Sequence, residues 1–312
     1  MEQHTDEACQ AGSLTAVLAF AGGLIVLTVL ALGVLAPWNG GTEPGRARAE
    51  AAEVRDSVEP ELAEAVQALR SRAGKARTGR YKWVVTRTVQ MATHPGWDPD
   101  EKRVTPPPGF SEELKKYEEE RQFILDGHDV RAEWDGQVLD LTEGQYVPWH
   151  ETLVCVDGEV NLTDPHYQGT AKLDELVGDP HYVPVLMAHR MFDPVVGVTM
   201  PERLSLQGQG EFQGHPCVIA EAPYSDRPNS PRARWWFSEN QGYSVIKQET
   251  RSSEGTVMHE LHMRYEPDPE VGWRLASWES YQYQSGFSEP ASRSSAQVTQ
   301  ALFNEPVSIQ AP

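Results

Sequence analysis

Residues 122–141 read QFILDGHDVRAEWDGQVLDL, and residues 152–158 read TLVCVDG. Short runs of strand-forming residues are closed by Asp-Gly three times, at Asp126-Gly127, Asp135-Gly136 and Asp157-Gly158. Asp-Gly is the strongest short hairpin signal, because both central residues of a type I′ turn take positive φ. The spacing predicts antiparallel strands joined in chain order over 122–125, 128–134, 137–141 and 152–156. Just upstream, residues 81–91 alternate. Tyr81, Trp83, Val85, Val89 and Met91 share one face, with Arg87 as the exception, while Lys82, Thr86, Thr88 and Gln90 take the other. A period of two is that of a half-buried strand.

Working outward, residues 59–73 carry a helical period instead. Pro60 suits a first turn, Leu62, Val66 and Leu69 fall on one face, and Gly74 is the expected stop. Residues 94–109 form a Pro-rich loop, after which Ser111 is read as the cap of a short charged helix running to Arg121, with Glu112 and Glu113 at its positive end. Residues 170–177 and 185–191 read as two short helices, the second opened by Pro184. Asp-Pro-His-Tyr occurs at 164–167 and again at 179–182, where Asp-Pro favours two turns over a binding repeat. Strands resume over 204–212, 217–222, 233–238, 243–251, 256–265, 273–283 and 296–303, separated by Gly, Asn and Pro. About ten strands with few helices predict a mainly β, α+β chain: one curved antiparallel sheet with helices laid on one face.

A net charge of −19 on 312 residues leaves no basic stripe to neutralise phosphates, which argues against nucleic acid as a partner. Residues 13–36 carry no charge and are rich in Leu, Val, Ala and Gly, with Trp38 just beyond. Such a stretch spans a hydrocarbon core of about 30 Å as a helix, and an indole favours the interface. A cleavable signal peptide is the rival, but its apolar core is shorter and follows positive charge. Here Glu2, Asp6 and Glu7 precede the segment, so a retained single-pass anchor is expected. The expected organisation is a tail (1–12), an anchor (13–38), a linker (39–54), a β domain (55–307) and a tail (308–312).

No motif for covalent chemistry stands out. Gly208-Gln209-Gly210 lacks the third glycine of a dinucleotide loop, and no nucleophile elbow or phosphate loop is present. His259-Glu-Leu-His262 is not H-E-x-x-H; on a strand its two imidazoles face opposite sides, so no metal and no cofactor are expected. Cys9 precedes the apolar segment. Cys155 and Cys217 follow it, and in an oxidising compartment they can form a disulfide or equally remain two buried thiols. The densest aromatic cluster is Trp235-Trp236-Phe237. Trp235 and Phe237 share a face, which suits either an acyl chain buried by apolar area or ordinary core packing.

Five stretches together resemble a known bacterial series: FILDGHDVR at 123–131, VCVDGE at 154–159, GHPC at 214–217, RWWFSENQGY at 234–243 followed by Val245 and Lys247, and FNEP at 303–306. The chain resembles, over about residues 55–307, the outer-membrane lipoprotein-sorting superfamily of lipoprotein carriers, receptors and a related regulator of an anti-sigma factor. That resemblance implies a half-barrel sheet closed by helices around an apolar cavity that accepts acyl chains. It also implies a non-catalytic lipid- or lipoprotein-binding protein with Trp83, Trp235, Phe237 and Tyr243 on the sheet face that lines the cavity. A tethered carrier does not shuttle, so an envelope sensor that binds another protein is the alternative. Arg46, Arg48 and Arg55 follow the anchor, which taken strictly places the domain in the cytoplasm. They are mixed with Glu50, Glu53 and Asp56, however, long domains translocate largely regardless of charge, and the resemblance points outward. The expected location is the bacterial inner membrane, with the main domain extracytoplasmic.

Overall fold

The computed structural model describes residues 59–89, 97–98, 103–104, 116–140, 145–173, 176, 179–225, 227, 229–283 and 289–309. The expected anchor, the linker and most of the Pro-rich loop lie outside the described residues. Among the described residues no helix is long and apolar enough to cross a membrane.

The described residues open with α1 (Pro60–Lys75), then β1 (Thr78–Val89), a small hairpin of β2 (Trp97–Asp98) and β3 (Arg103–Val104), and β4 (Lys116–Asp126). It continues through β5 (Asp129–Asp140), β6 (Gln145–Val156), β7 (Glu159–Thr163) and β8 (Gln168–Ala171) to α2 (Val183–His189). The second half holds β9 (Ser205–Phe212), β10 (His215–Pro223), β11 (Arg232–Ser238), β12 (Ser244–Arg251), β13 (Val257–Asp268), β14 (Gly272–Tyr283) and β15 (Pro290–Phe303).

Thirteen of these strands form one open, curved antiparallel sheet in the order β8-β7-β6-β5-β4-β1-β15-β14-β13-β12-β11-β10-β9. The first and last of the long strands sit together at its centre, Tyr81 opposite both Ala301 and Phe123. Two meanders run outward from that seam. The chain then has to pass from one edge of the sheet, β8, to the other, β9, and that connection carries α2 back across the face on which α1 lies.

The face under the helices is the core. Alternate residues of β1 (Tyr81, Trp83, Val85), β4 (Phe123, Leu125), β5 (Val130, Ala132) and β6 (Leu153, Cys155) point into it, and all are buried. The α1 stripe is Leu62, Ala65, Val66 and Leu69. All seven residues of α2 are buried, so this helix is a plug within the core rather than a surface helix.

Three expectations are corrected. The described part of the charged segment, residues 116–121, is not helical: residues 116–126 are β4, paired on both sides, with Glu119 and Arg121 turned inward, while residues 111–115 lie outside the described residues. Two flanking strands override the helix preference of Glu and Lys. Asp135-Gly136 is not a turn, because β5 runs through it with Gly136 opposite Trp149. A Cβ at Gly136 would lie 2.5 Å from the Trp134 indole nitrogen, so the glycine clears a path for that ring. The helix expected from Thr170 begins instead in the edge strand β8, with Thr170 opposite Asn161. Asp157-Gly158, by contrast, is the expected turn, with φ of 52° and 83°. The Asp-Pro-His-Tyr repeats are turns as well: Asp164 Oδ1 accepts the amides of His166 and Tyr167, and Asp179 Oδ1 accepts that of His181.

Candidate functional site

The residues singled out from the sequence for a ligand cavity fall at two depths. Trp83, Trp235 and Phe237 are buried on the helix face of the sheet. Trp83 packs edge-on against Trp278 with ring centres 5.4 Å apart, and against Tyr182, at the start of α2, with ring centres 6.0 Å apart. Tyr243 stands at the rim with φ of 59°, its hydroxyl donating to Glu64 Oε2 of α1 at 2.8 Å. Beside it Arg72 of α1 donates to the Gly242 carbonyl at 2.7 Å, which ties the helix to the Gly-Tyr corner.

The space between sheet and helices is occupied by side chains. Tyr81 and His189 meet at 2.6 Å in its floor. Burial, with Arg72 and Arg190 adding to it, holds the His189 imidazole well below its usual range, so it is neutral. The indole nitrogens of Trp83, Trp235 and Trp278 are buried with no hydrogen-bond acceptor. A donor left so costs about 1–3 kcal/mol, and three along one apolar face are a polar feature that packing alone does not require.

One end of the same face is ionic. Directly opposed residues form a row across four strands, Trp83–Arg121–Trp134–Glu151. Arg121 lies 4.9 Å from the Trp134 ring centre and 5.2 Å from that of Tyr182, and it donates to Glu119 Oε1 at 3.1 Å. Arg87 reaches Glu119 at 3.4 Å and His181 Nε2 at 2.5 Å. Burial lowers the His181 pKa, reinforced by Arg121 and Arg87, so the ring accepts from Arg87. Burial raises Glu151 to about 7, with Asp179 adding to the rise and Arg121 opposing it. Sequence reading missed this cluster. Glu119 and Arg121 lay in the supposed helix and His181 in a turn, and nothing in their spacing marks three separate segments as neighbours.

Cys155 and Cys217 are buried free thiols, nine places apart in the sheet order, and no bond joins them. Burial raises both pKa values, Cys217 to about 11, which makes both thiols poor nucleophiles at neutral pH. His259 and His262 take opposite faces of β13: His259 bonds Ser280 Oγ at 2.8 Å, while His262 contacts Phe212 and Tyr281. Among the described residues no group of three His, Cys, Asp or Glu is placed to hold a metal. Two pockets stand out. One of about 180 Å³ opens between α1 and the segment after α2, beside Leu69, Arg190 and Phe192. The other, of about 370 Å³, is on the opposite face of the sheet.

No family model matches the chain, and no curated protein matches it in sequence. Among solved structures the fold is similar to a DUF1329 family protein from Desulfovibrio piger, at 10% identity and a TM-score of 0.49, covering 81% of this chain and 95% of that one. It is also similar to a putative outer membrane lipoprotein-sorting protein domain from Vibrio parahaemolyticus, at 8% identity and a TM-score of 0.47, covering 78% and 93%. A LolA superfamily protein from Nitrosomonas europaea is similar at 7% identity and a TM-score of 0.45, covering 78% and 95%. At these identities the likeness is one of fold.

Proposed function

We propose that the protein is a membrane-anchored, extracytoplasmic domain that binds a lipid or an acylated lipoprotein without covalent chemistry. The observation that carries this reading is the set of buried indole donors on the helix face of the sheet. Trp83, Trp235 and Trp278 present N–H groups without acceptors inside an apolar face that one long and one short helix cover. An acyl chain entering between helix and sheet replaces apolar contacts with apolar contacts at little cost, and its ester or amide carbonyl supplies the acceptor that an indole lacks. The anchor expected at residues 13–38 keeps the domain beside the bilayer that holds such ligands. Trp83, Trp235 and Phe237 form the chain-binding face, with Tyr243 as the latch between the sheet rim and α1.

The test is photo-crosslinking of the full chain in living bacteria, with a benzophenone amino acid at Trp235 or, separately, at Trp83. Phospholipid or acylated-peptide adducts, recovered by mass spectrometry, are expected. Adducts confined to the protein's own α1 and α2 would overturn the reading. Adducts to one non-acylated protein would favour the sensor alternative instead, for which β9, at the edge of the sheet among the described residues, offers a place to add a strand. Alkaline phosphatase fused after Pro312 tests the location, and activity is the expected result.

A further inference from the structure

The larger pocket lies on the face of the sheet turned away from the helices. Its floor is a run of directly opposed outward residues on four central strands: Thr86 with Ser295, Ser295 with Glu279, and Glu279 with His262. Its wall comes from the far edge. The β9–β10 hairpin folds over this open face, so that Phe212 lies 5.0 Å from His262 although β9 stands four places from β13 in the sheet. Lys247 holds it there, with Nζ 4.8 Å from the Trp236 ring and 5.3 Å from that of Phe212. At the hairpin tip Gln213 (φ 52°) and Gly214 (φ 81°) make the turn, and Gln213 closes the pocket. The volume, about 370 Å³, falls in the lower part of the range for small-ligand sites.

The chemistry of the lining discriminates between ligand classes. An acyl chain is a poor fit, since Val84 is the one aliphatic side chain facing outward among polar neighbours. An anion is a poor fit too, because the nearby cations are already engaged. Lys247 pairs with Glu249 at 2.7 Å and Glu260 at 3.2 Å, Arg293 pairs with Glu279, and Arg264 donates to Ser277 at 3.2 Å. A metal ion would need free carboxylates. Glu279 is occupied by Arg293 and by the Tyr281 hydroxyl at 2.5 Å, and these bonds outweigh burial and hold it below its usual range. What remains is a polar surface of Ser295, Thr86 and Gln213, together with Ser277, which accepts from Arg264, and Gln297, whose amide nitrogen donates to the Ala276 carbonyl at 3.2 Å; their hydroxyl and amide groups both donate and accept. Beside them are half-buried rings of Phe212 and Tyr281 and the buried Nε2 of His262, which makes no hydrogen bond and has the Glu260 carboxylate 3.5 Å away.

The geometry points to a binding site for a neutral saccharide on the open face of the sheet, under the β9–β10 hairpin. Sugar hydroxyls both donate and accept, as the Ser, Thr and Gln side chains do, and the C–H face of a pyranose packs on aromatic rings. The site is separate from the helix-face lipid reading and does not depend on it. In an envelope protein it would fasten the domain to a glycan while the other face handles acyl chains.

The test uses the full chain in a non-glycosidic detergent, titrated calorimetrically with chitotetraose, cellotetraose and maltotetraose. At least one should bind with a Kd below about 10 mM. The groove-filling Ser295→Phe should abolish that binding with the near-UV circular dichroism unchanged. Gln213→Asn, which tolerates the left-handed turn but shortens the side chain, should weaken it about tenfold. His262→Phe, which keeps the ring contacts and removes the nitrogens, should weaken it similarly. No binding of any of the three saccharides would overturn the proposal. So would binding that both Gln213→Asn and His262→Phe leave unaltered.

Discussion

Glu119 has no exposed side-chain surface, yet two guanidinium groups converge on one of its oxygens, Arg121 and Arg87. The attraction of such a cluster is balanced against the desolvation of all three charges, so its net worth is small, whereas the loss of one partner is not. Glu119→Ala removes the carboxylate on which both guanidinium groups converge, leaving buried Arg121 with Asp179 at 3.5 Å as its remaining carboxylate beside half-buried Arg87, and should cost about 3 kcal/mol in chemical denaturation. A loss below about 1 kcal/mol would mean that water or another carboxylate replaces it. Nearby Glu151 titrates to about 7 because burial, and then Asp179, disfavour its charged form. A carboxyl whose folded pKa is raised holds its proton more tightly when folded, so its penalty is absent below the ordinary carboxylate pKa and grows as pH rises to about 7. Glu151→Gln should therefore stabilise the protein at pH 8 by up to about 3 kcal/mol and change little at pH 4. Equal effects at both pH values would show that Glu151 is solvated.

Arg190, one residue past α2, is the joint between elements. Its guanidinium donates to the carbonyls of Ala76 and Gly127 at 2.9 Å, Arg77 at 3.1 Å and Ala73 at 3.4 Å, and it lies 3.8 Å from Asp193. Those carbonyls lie at the C-terminal end of α1, in the two residues that follow it and in the β4–β5 turn, and a helix C-terminus leaves such carbonyls in need of donors. Arg190→Lys keeps the charge but cannot reach several carbonyls at once. It should cost about 3 kcal/mol by urea denaturation, and a midpoint within error of the parent would remove the joint from the account. The sequence reveals elements like β1 and α1 plainly because each carries its own period: Tyr81-Trp83-Val85 at two, Leu62-Val66-Leu69 near three and a half. Residues 116–121 defeat that reading, since Glu and Lys favour a helix in isolation and only the flanking β1 and β5 make them a strand. Asp135-Gly136 defeats it for a different reason: its glycine answers to the Trp134 ring rather than to a turn. At the candidate sites, Trp83, Trp235 and Phe237 were legible as one aromatic face. The open-face pocket was not, because it is made by folding Phe212 and Gln213 over strands that lie far from them in sequence.

At the scale of the whole molecule the seam between β1 and β15 decides how the domain comes together. Every other neighbouring pair in the sheet except β1–β4 is a contact between strands consecutive in the chain. The seam alone joins Gly79 to Phe303 and Val89 to Ser292, closing a loop of nearly the whole domain, and a closure of that length slows folding. Until β15 arrives, β1 and β14 each present an unpaired edge, and the two meanders have no bond to one another within the sheet. The core spans the seam as well: Trp83 of β1 packs on Trp278 of β14, and Phe303 of β15 on Tyr81 and His189. A full chain ended after Tyr283 should therefore lose its cooperative thermal transition and become protease-sensitive, although all strands but one remain. A peptide of residues 289–309 supplied in trans should restore protection by occupying the place between β1 and β14, as added strands do at open edges. If the truncated chain instead melts cooperatively near the parent temperature, the two halves are independent units, and the central seam is a junction between them rather than the step on which the fold depends.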